Sequence, residues 1–477
     1  MIMTPQDYIA ALPLGIVAVT AFLVLLIEAF RDGSVRVTSW LTALGLAAAF
    51  FVAITRVFGA APGTAFFGMY ATGAFPDLMT ALFCVSGILT VLLSSAYLGK
   101  EHLVQGEYYA VLLSAVAGMI MMAAAADLVF FFLGLELMSI AFYILAGFAR
   151  GRLMSNEAGL KYFLLGAFST GFLLYGIALV YGATGRTAIS AIPSHSLALA
   201  HSPVFVVGLA LVLVGLLFKV AAFPFHMWAP DVYEGAPTTV SGFMATGGKA
   251  AAFSGFLLVF SPLALNALPT LSDVIALIAA ASMILGNIVA VSQTSIKRML
   301  AYSSIAHAGY ILAGVVAGNR MGAEGVIFYL AAYTLMNIGA FGVVSILESG
   351  DGTGVTYDEC AGLSRRAPVL SGLMAVFMIS LTGIPPFAGF FGKYYVFAGA
   401  IGGGYTWLAI IGVLMSVVSA SYYLRLVVLM YFKEGTERNS SVSVPAASLA
   451  ALVIAAIGLL GLGLFPSLLL QLTAWCF

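Results

Sequence analysis

Six ionisable residues lie where lipid should be, and their types suit one kind of chemistry. Lys249 sits at the midpoint of the apolar run 239–260, inside the small-residue stretch GGKAAA. About 15 Å of helix separates it from either surface, too far for its side chain to reach the headgroups. Lys219 comes shortly before Pro224, Lys393 shortly after Pro386, and Glu136 lies within GLELMS, about eight residues into its run. A charge at the bilayer centre costs at least about 2.5–3.5 kcal/mol, so each such residue needs a partner or a function. Desolvation disfavours a charged lysine and a nearby carboxylate restores it, so making and breaking such a pair takes up and releases a proton. His226 and His307 are the further candidates, because imidazole shuttles protons near neutral pH. The plainer readings are an inert ion pair between Glu136 and one lysine, and histidines that only pack and hydrogen-bond. Haem ligation by the two histidines has no supporting motif.

The elements that must position these groups are membrane helices. Of 477 residues, 62% are hydrophobic and 8% are Asp, Glu, Lys or Arg, with a net charge of zero. That leaves no charged exterior for a water-soluble enzyme and no basic face for nucleic acid. Cys84, Cys360 and Cys476 stand far apart, so no disulfide framework, Cys-ligated cluster or metal site is readable. Fourteen runs reach the roughly 20 apolar residues that a span needs, at about 9–29, 39–58, 77–98, 108–126, 128–149, 158–183, 203–228, 239–260, 272–293, 298–318, 324–347, 368–401, 406–431 and 446–471. Runs this long are helices, since a backbone in lipid must satisfy its own hydrogen bonds. The sequence predicts an all-α polytopic membrane protein with 14 transmembrane helices.

Loop charges give the orientation. Loops after odd runs hold Arg31, Arg36, Lys100, Arg150, Arg152, Lys297, Arg298, Arg365, Arg366, Lys433 and Arg438, whereas loops after even runs hold only Arg56, Arg186 and Arg320. Bases favour the cytoplasm, so both termini are expected on the outer side of the membrane. Loop 7 departs from the rule, with Asp231 and Glu234 and no base. Lys161, Arg425 and Glu28 lie near the cytoplasmic ends of their runs, where snorkelling to the headgroups explains them; Lys161 also fits a proton-uptake residue.

Two runs contain breaks. Run 7 carries Pro224 and Pro230, and run 12 carries Pro385 and Pro386 near its middle. An unbroken run 12 would extend about 50 Å, well beyond a 30 Å hydrocarbon core. Both are read as discontinuous helices with a short extended segment inside the membrane, the usual pointer to a transport site. Run 7 is fourth in the set 4–8 and run 12 is fourth in the set 9–13. Each set is odd in number, so the second enters from the opposite side, as in an inverted-topology repeat. The expected organisation is 1–107 for the first three helices, 108–260 and 272–431 for two inverted five-helix repeats, and 432–477 for the last helix.

FPFHMWAPDVYEGAPT, with Lys219 before it and Lys249 in the next run, together with GIPPFAGFFGKYYVF and GLELMS, resembles the antiporter-like subunits of respiratory complex I, the NADH:quinone oxidoreductase. The resemblance covers nearly the whole chain from about run 4 to run 13. The DVYEGAPT wording and a lysine at 393 point to one particular subunit among the three of this type. The resemblance implies proton translocation through a Glu136–Lys219 pair, a central Lys249, a polar axis with His226 and His307, and Lys393 near the periplasmic exit. It also implies that redox chemistry happens in other subunits, that this chain holds no cofactor, and that its partners are membrane-arm subunits, including a neighbouring antiporter-like one, and the lipid bilayer, with no nucleic acid and no soluble substrate. Counting along the helices sets Glu136 about 12 Å and Lys219 about 24 Å below the outer surface, so their contact is an open point. The alternatives are a subunit of a multi-subunit Na+/H+ antiporter, a stand-alone transporter with Phe223, Phe225 and Trp228 at its site, and a structural subunit with inert lysines.

Overall fold

The computed structural model describes residues 4–31, 35–59, 61–103, 105–348, 355–434 and 442–477, and Arg438 lies outside them. Each predicted run is helical. Numbered by run, the helices are α1 (Leu12–Phe30), α2 (Val35–Val57), α3 (Ala74–Lys100), α4 (Glu107–Ala123), α5 (Leu128–Ala146), α6 (Leu153–Thr184), α7a (Pro203–Lys219) and α7b (Trp228–Gly235). They continue as α8 (Thr238–Val259), α9 (Pro269–Val291), α10 (Ile296–Val316), α11 (Arg320–Leu347), α12a (Pro368–Thr382), α12b (Ala388–Gly402), α13 (Thr406–Phe432) and α14 (Ala446–Leu464). Among the described residues, eleven helices are long and apolar enough to cross a membrane, while α4, α7a and α12a are shorter apolar helices. Burial sorts them by depth. In the most apolar stretches of α8 and α10, 94% of residues are buried, against 22% in α1. An all-apolar helix buried on every side belongs to the core of the bundle, and one that exposes apolar residues faces lipid.

The runs read as broken are broken. Helix α7 stops at Lys219 and resumes at Trp228 across the cis bond Phe223–Pro224. Helix α12 stops at Thr382 and resumes at Ala388 across the cis bond Pro385–Pro386. The intervening residues are compact turns, not the extended segments expected, with Gly383 at a φ of 90°. Run 8 also departs from expectation, because Met244–Gly248, just before Lys249, is π-helical. No proline marks it, so the sequence carries no signal for it.

Contacts between loops sort by parity. Arg152 pairs with Glu101, Arg298 with Asp231, Lys297 with Glu348, and Arg365 with Glu434, all on the base-rich face. Arg56 donates to the Ile9 and Ala10 carbonyls, and Arg320 to the Ala474 carbonyl, so both termini sit with the even loops on the other face. Loop 7, which lacked bases, is supplied from its neighbours: Asp231 takes Lys161 and Arg298, and Glu234 accepts from the Ser295 hydroxyl. Lys161, partly exposed near that face, is held by Glu157 and Asp231. Glu28 accepts from the Gly106 amide, while Arg425 is exposed and lies over the Tyr357 ring.

The inverted relation is visible in the backbone. Asp127 caps the start of α5, accepting from the Phe130 amide, and pairs with Ala188 in the loop after α6. Ser295 caps the start of α10, accepting from the Arg298 amide, and pairs with Thr356 in the loop after α11. The flanking bonds, Leu128 to Thr187 and Ile296 to Val355, follow the same shift along the chain. One motif thus recurs on opposite faces. Glycine contacts follow suit. A Cβ on Gly118 (α4) would lie 2.5 Å from the Met138 nitrogen (α5), and one on Gly286 (α9) 2.6 Å from the Ala306 nitrogen (α10). Such small residues let helices approach where lipid gives no hydrophobic drive to associate. Gly118→Val should therefore force α4 and α5 apart at a cost of about 1–3 kcal/mol. A lower unfolding temperature of the purified assembly is the expected reading, and an unchanged one would show that this crossing yields freely.

Candidate functional site

Two clusters hold five of the six predicted residues, and one stands apart. The first cluster lies where α7a ends. Lys219, its last residue, is buried and donates to the Ser139 hydroxyl at 2.8 Å and the Tyr143 hydroxyl at 3.3 Å. The rings of Tyr143, Phe218 and Tyr162 stand 5.5, 5.6 and 5.9 Å from its ammonium nitrogen, a cation–π setting. Glu136 is one turn before Ser139 on α5, and its Oε1 is buried without a hydrogen-bond partner. No ion pair joins Glu136 to Lys219 among the described residues. Ser139 and Tyr143, which the sequence reading did not single out, take the lysine instead.

The second cluster lies between α8, α10, α11, α12 and α13. Lys249 is 1% exposed and donates to the Ser304 carbonyl at 2.6 Å and the Ser304 hydroxyl at 2.9 Å. No carboxylate pairs with it among the described residues, so the ion-pair reading does not apply there. Next to Ser304, the Ser303 hydroxyl bonds the Tyr423 hydroxyl, which lies 3.2 Å from His307 Nε2. On the other side of the ring, the Tyr329 hydroxyl lies 2.8 Å from His307 Nδ1. A neutral imidazole donates from one nitrogen and accepts at the other, so His307 links the two tyrosines. Lys393 donates to the Leu381 and Thr382 carbonyls at 3.2 and 2.8 Å and lies 4.9 Å from the centre of the Tyr310 ring. Tyr310 in turn accepts from Asn287, which accepts from Tyr422.

The break residues explain the lysine positions. A helix end leaves carbonyl oxygens without partners and carries partial negative charge. Lys393 reaches back from α12b to the last carbonyls of α12a, and Lys219 lies in the last turn of α7a. His226, the residue that stands apart, is buried in the α7 break and stacked on Phe223. None of the hydrogen bonds among the described residues joins it to the lysines or to His307.

The missed groups are mostly hydroxyls. Serines and tyrosines in membrane helices are common, so type alone does not mark them. The repeat supplies a signal. The shift that carries Asp127 to Ser295 carries Glu136 to Ser304 and Ser139 to His307. Positions that touch a lysine in one half thus correspond to positions in the chain of the other half.

Apolar helices, two of them broken at cis-prolines with ammonium groups held at the breaks, define an ion translocator of the antiporter type. Residues 125–419 match the family described as NADH:quinone oxidoreductase/Mrp antiporter, TM. The chain belongs to that family and, within it, groups with NADH-quinone oxidoreductase subunit N. The subunit N of Trichlorobacter lovleyi is 46% identical over 468 residues, covering 96% of this chain and 95% of that protein. A chain of respiratory complex I from Thermus thermophilus is 37% identical, with a TM-score of 0.83 over 96% of this chain and 98% of that one. A chain of the Mrp complex from Dietzia is 21% identical, with a TM-score of 0.85 over 98% of this chain and 96% of that one, a likeness of fold alone.

Tyr423→Phe keeps the ring but removes the bonds to Ser303 and His307, an expected loss of about 0.5–1.5 kcal/mol per bond. Thermal unfolding of the purified variant checks this. Undiminished stability would mean that the hydroxyl is not engaged as described.

Proposed function

We propose that this chain is a proton-translocating, non-redox subunit of the membrane arm of an NADH:quinone oxidoreductase in a bacterial cytoplasmic membrane, with both termini periplasmic. Its partners are the other membrane-arm subunits, among them an antiporter-like neighbour. Proton movement runs through Glu136, Lys219, Lys249, His307 and Lys393, with His226 in the polar break of α7. The observation that carries the reading is the buried Lys249 bonded to Ser304, beside a hydroxyl and imidazole chain whose His307 lies against the Tyr310 ring that Lys393 also faces.

The chemistry follows from that arrangement. As an ammonium, Lys249 has two oxygens of Ser304 to solvate it. As an amine, it has given up a charge that burial disfavours. A proton released there meets hydroxyls and imidazole, groups that accept on one side while donating on the other. Lys393, solvated by the carbonyl ends of α12a, is the next group able to hold it. Glu136, with a buried and unpartnered oxygen, sits one turn from the partner of Lys219, so its charge acts on that lysine without a direct bond. Moving a proton outward against 100 mV requires about 2.3 kcal/mol. No reaction of this chain alone supplies that, so the drive comes from its neighbours. The relatives at 46% identity favour this reading over a Na+/H+ antiporter subunit.

Lys249→Ala should leave the complex assembled and lower coupled pumping and quinone reduction about a hundredfold or more, the usual scale for losing a proton-transfer group. Pumping per NADH and turnover in membrane vesicles are the measurements. Normal values in an assembled variant would defeat the role of Lys249. Lys249→Arg should rescue poorly, because arginine scarcely deprotonates. Full activity with arginine would mean that a fixed charge suffices.

A further inference from the structure

The base-rich face holds a buried carboxylate that the pathway above does not use. Glu348, at the end of α11, is 2% exposed. Its Oε2 accepts from the Tyr97 hydroxyl at 3.1 Å and from the Thr238 hydroxyl, and its Oε1 lies 3.5 Å from the Lys297 ammonium. Lys297, itself buried, donates to the Ala236 carbonyl, and Lys100 donates to the Glu348 and Ile346 carbonyls. Arg152 and Glu101, paired with each other, are further charged groups nearby among the described residues. Four elements therefore meet at one carboxylate: the end of α3, the start of α8, the start of α10 and the end of α11. A cavity of about 510 Å³ adjoins it, lined by Tyr97, Lys100, Ser345, Glu348, Ser443 and Ser448 among others.

From this carboxylate a polar stripe runs inward. On α3, Tyr97, Ser94, Thr90 and Ser86 follow one another at spacings of three or four residues, so they share one face. All four are buried. The Ser94 hydroxyl bonds the Tyr108 hydroxyl at 2.8 Å, which lies 3.4 Å from the Thr239 hydroxyl of α8. The Thr90 hydroxyl donates to the Ser86 carbonyl, and the Ser86 hydroxyl bonds the Thr246 hydroxyl of α8 at 3.1 Å. Thr246 lies in the π-helical turn that ends just before Lys249. At 1.5 Å per residue, the eleven residues from Tyr97 to Ser86 span about 16 Å, and so do the eleven from Thr238 to Lys249. The stripe thus covers the depth between the base-rich surface and the central lysine.

We propose that Glu348 is the proton-uptake group for Lys249, loaded from the adjoining cavity and delivering along the α3–α8 hydroxyls. The carboxylate binds one proton from cavity water. The proton passes inward by exchange among hydroxyls and intervening water and ends on the Lys249 amine. Glu348 returns to its anionic form beside Lys297. No electrons move and no co-reactant is needed. The assignment rests on Lys249 as the central proton carrier, and it gives α3, outside both repeats, a part in translocation.

The test uses the intact complex in vesicles, with proton pumping and quinone-linked NADH turnover read beside NADH oxidation by a water-soluble acceptor. Glu348→Gln, which keeps size and hydrogen bonding, should lower pumping and quinone-linked turnover about tenfold or more while leaving oxidation by the soluble acceptor intact. Glu348→Asp should retain most of the native rate, because it keeps a titratable carboxyl. Native pumping in Glu348→Gln beside impaired Lys249→Ala overturns the uptake assignment and leaves the wider reading standing. Native pumping in both overturns the wider reading as well. Equal loss in Gln and Asp means that Glu348 only clasps helices, which also overturns the proposal. If Glu348→Gln does not assemble, Thr90→Val tests the stripe without touching the cluster. A several-fold slower rate supports it, and a native rate overturns it.

Discussion

A helix that stops inside a membrane leaves carbonyl oxygens that neither water nor a further turn satisfies. A lysine in the same place has the opposite problem, an ammonium with no solvent. At the α12 break each solves the other. Lys393 caps the carbonyls of Leu381 and Thr382, and Lys219 ends α7a among hydroxyls and aromatic faces. Three further groups at the breaks are met singly: the Phe223 amide by the Ser282 hydroxyl, the Phe218 carbonyl by the Trp228 indole, and the Gly389 amide by the Ser380 hydroxyl. Remove Lys393 and the α12 break loses its solvation; heal that break and Lys393 loses its own. The rest of the bundle, including the small-residue crossings that bring helices close, holds this arrangement in place.

Much of the fold was legible because the bilayer restricts the choices so severely. Every apolar run is a helix, and the two proline-marked runs are broken. The parity of loop charges matches the face on which the loops meet. What sequence reading missed is mostly hydrogen bonding. Nothing in GGKAAA announces a π-helical turn, and nothing in LELMSIAFY says that Ser139 and Tyr143, not Glu136, bind Lys219. Depth counting did warn that Glu136 and Lys219 differ in level. Lys161 lies toward a surface, as its place near the end of a run implies, and the sequence gives no sign that Asp231, from a loop that lacked bases, pairs with it there. Glu348 was passed over because a carboxylate at a loop edge has no distinguishing mark until the tertiary contacts bury it.

The repeat has kept its skeleton and changed its chemistry. The caps, bridges and glycine crossings correspond between halves, while Glu136 and Ser139 correspond to Ser304 and His307. Lysines from α7a and α8 come to the equivalent helices α5 and α10 at neighbouring levels. Two copies of one scaffold, inserted in opposite directions, thus present one lysine to a position next to a carboxylate and another to a position next to an imidazole. The distinction between the halves lies in a few side chains on an unchanged frame.

The π-helical turn at Met244–Gly248 has a mechanical consequence. A π-turn holds one residue more than an α-turn, so moving it along the helix advances the screw by a single residue, about 100° of rotation and 1.5 Å of travel. Only the residues it passes are turned, and Lys249, the first beyond it, would be the first of them. The frame there is cut for such a step: Gly247 and Gly248 face Met119 and Phe142 with no side chain of their own. Helix α8 is thus geared at this point, with a discrete detent where a hinge would give a continuous swing.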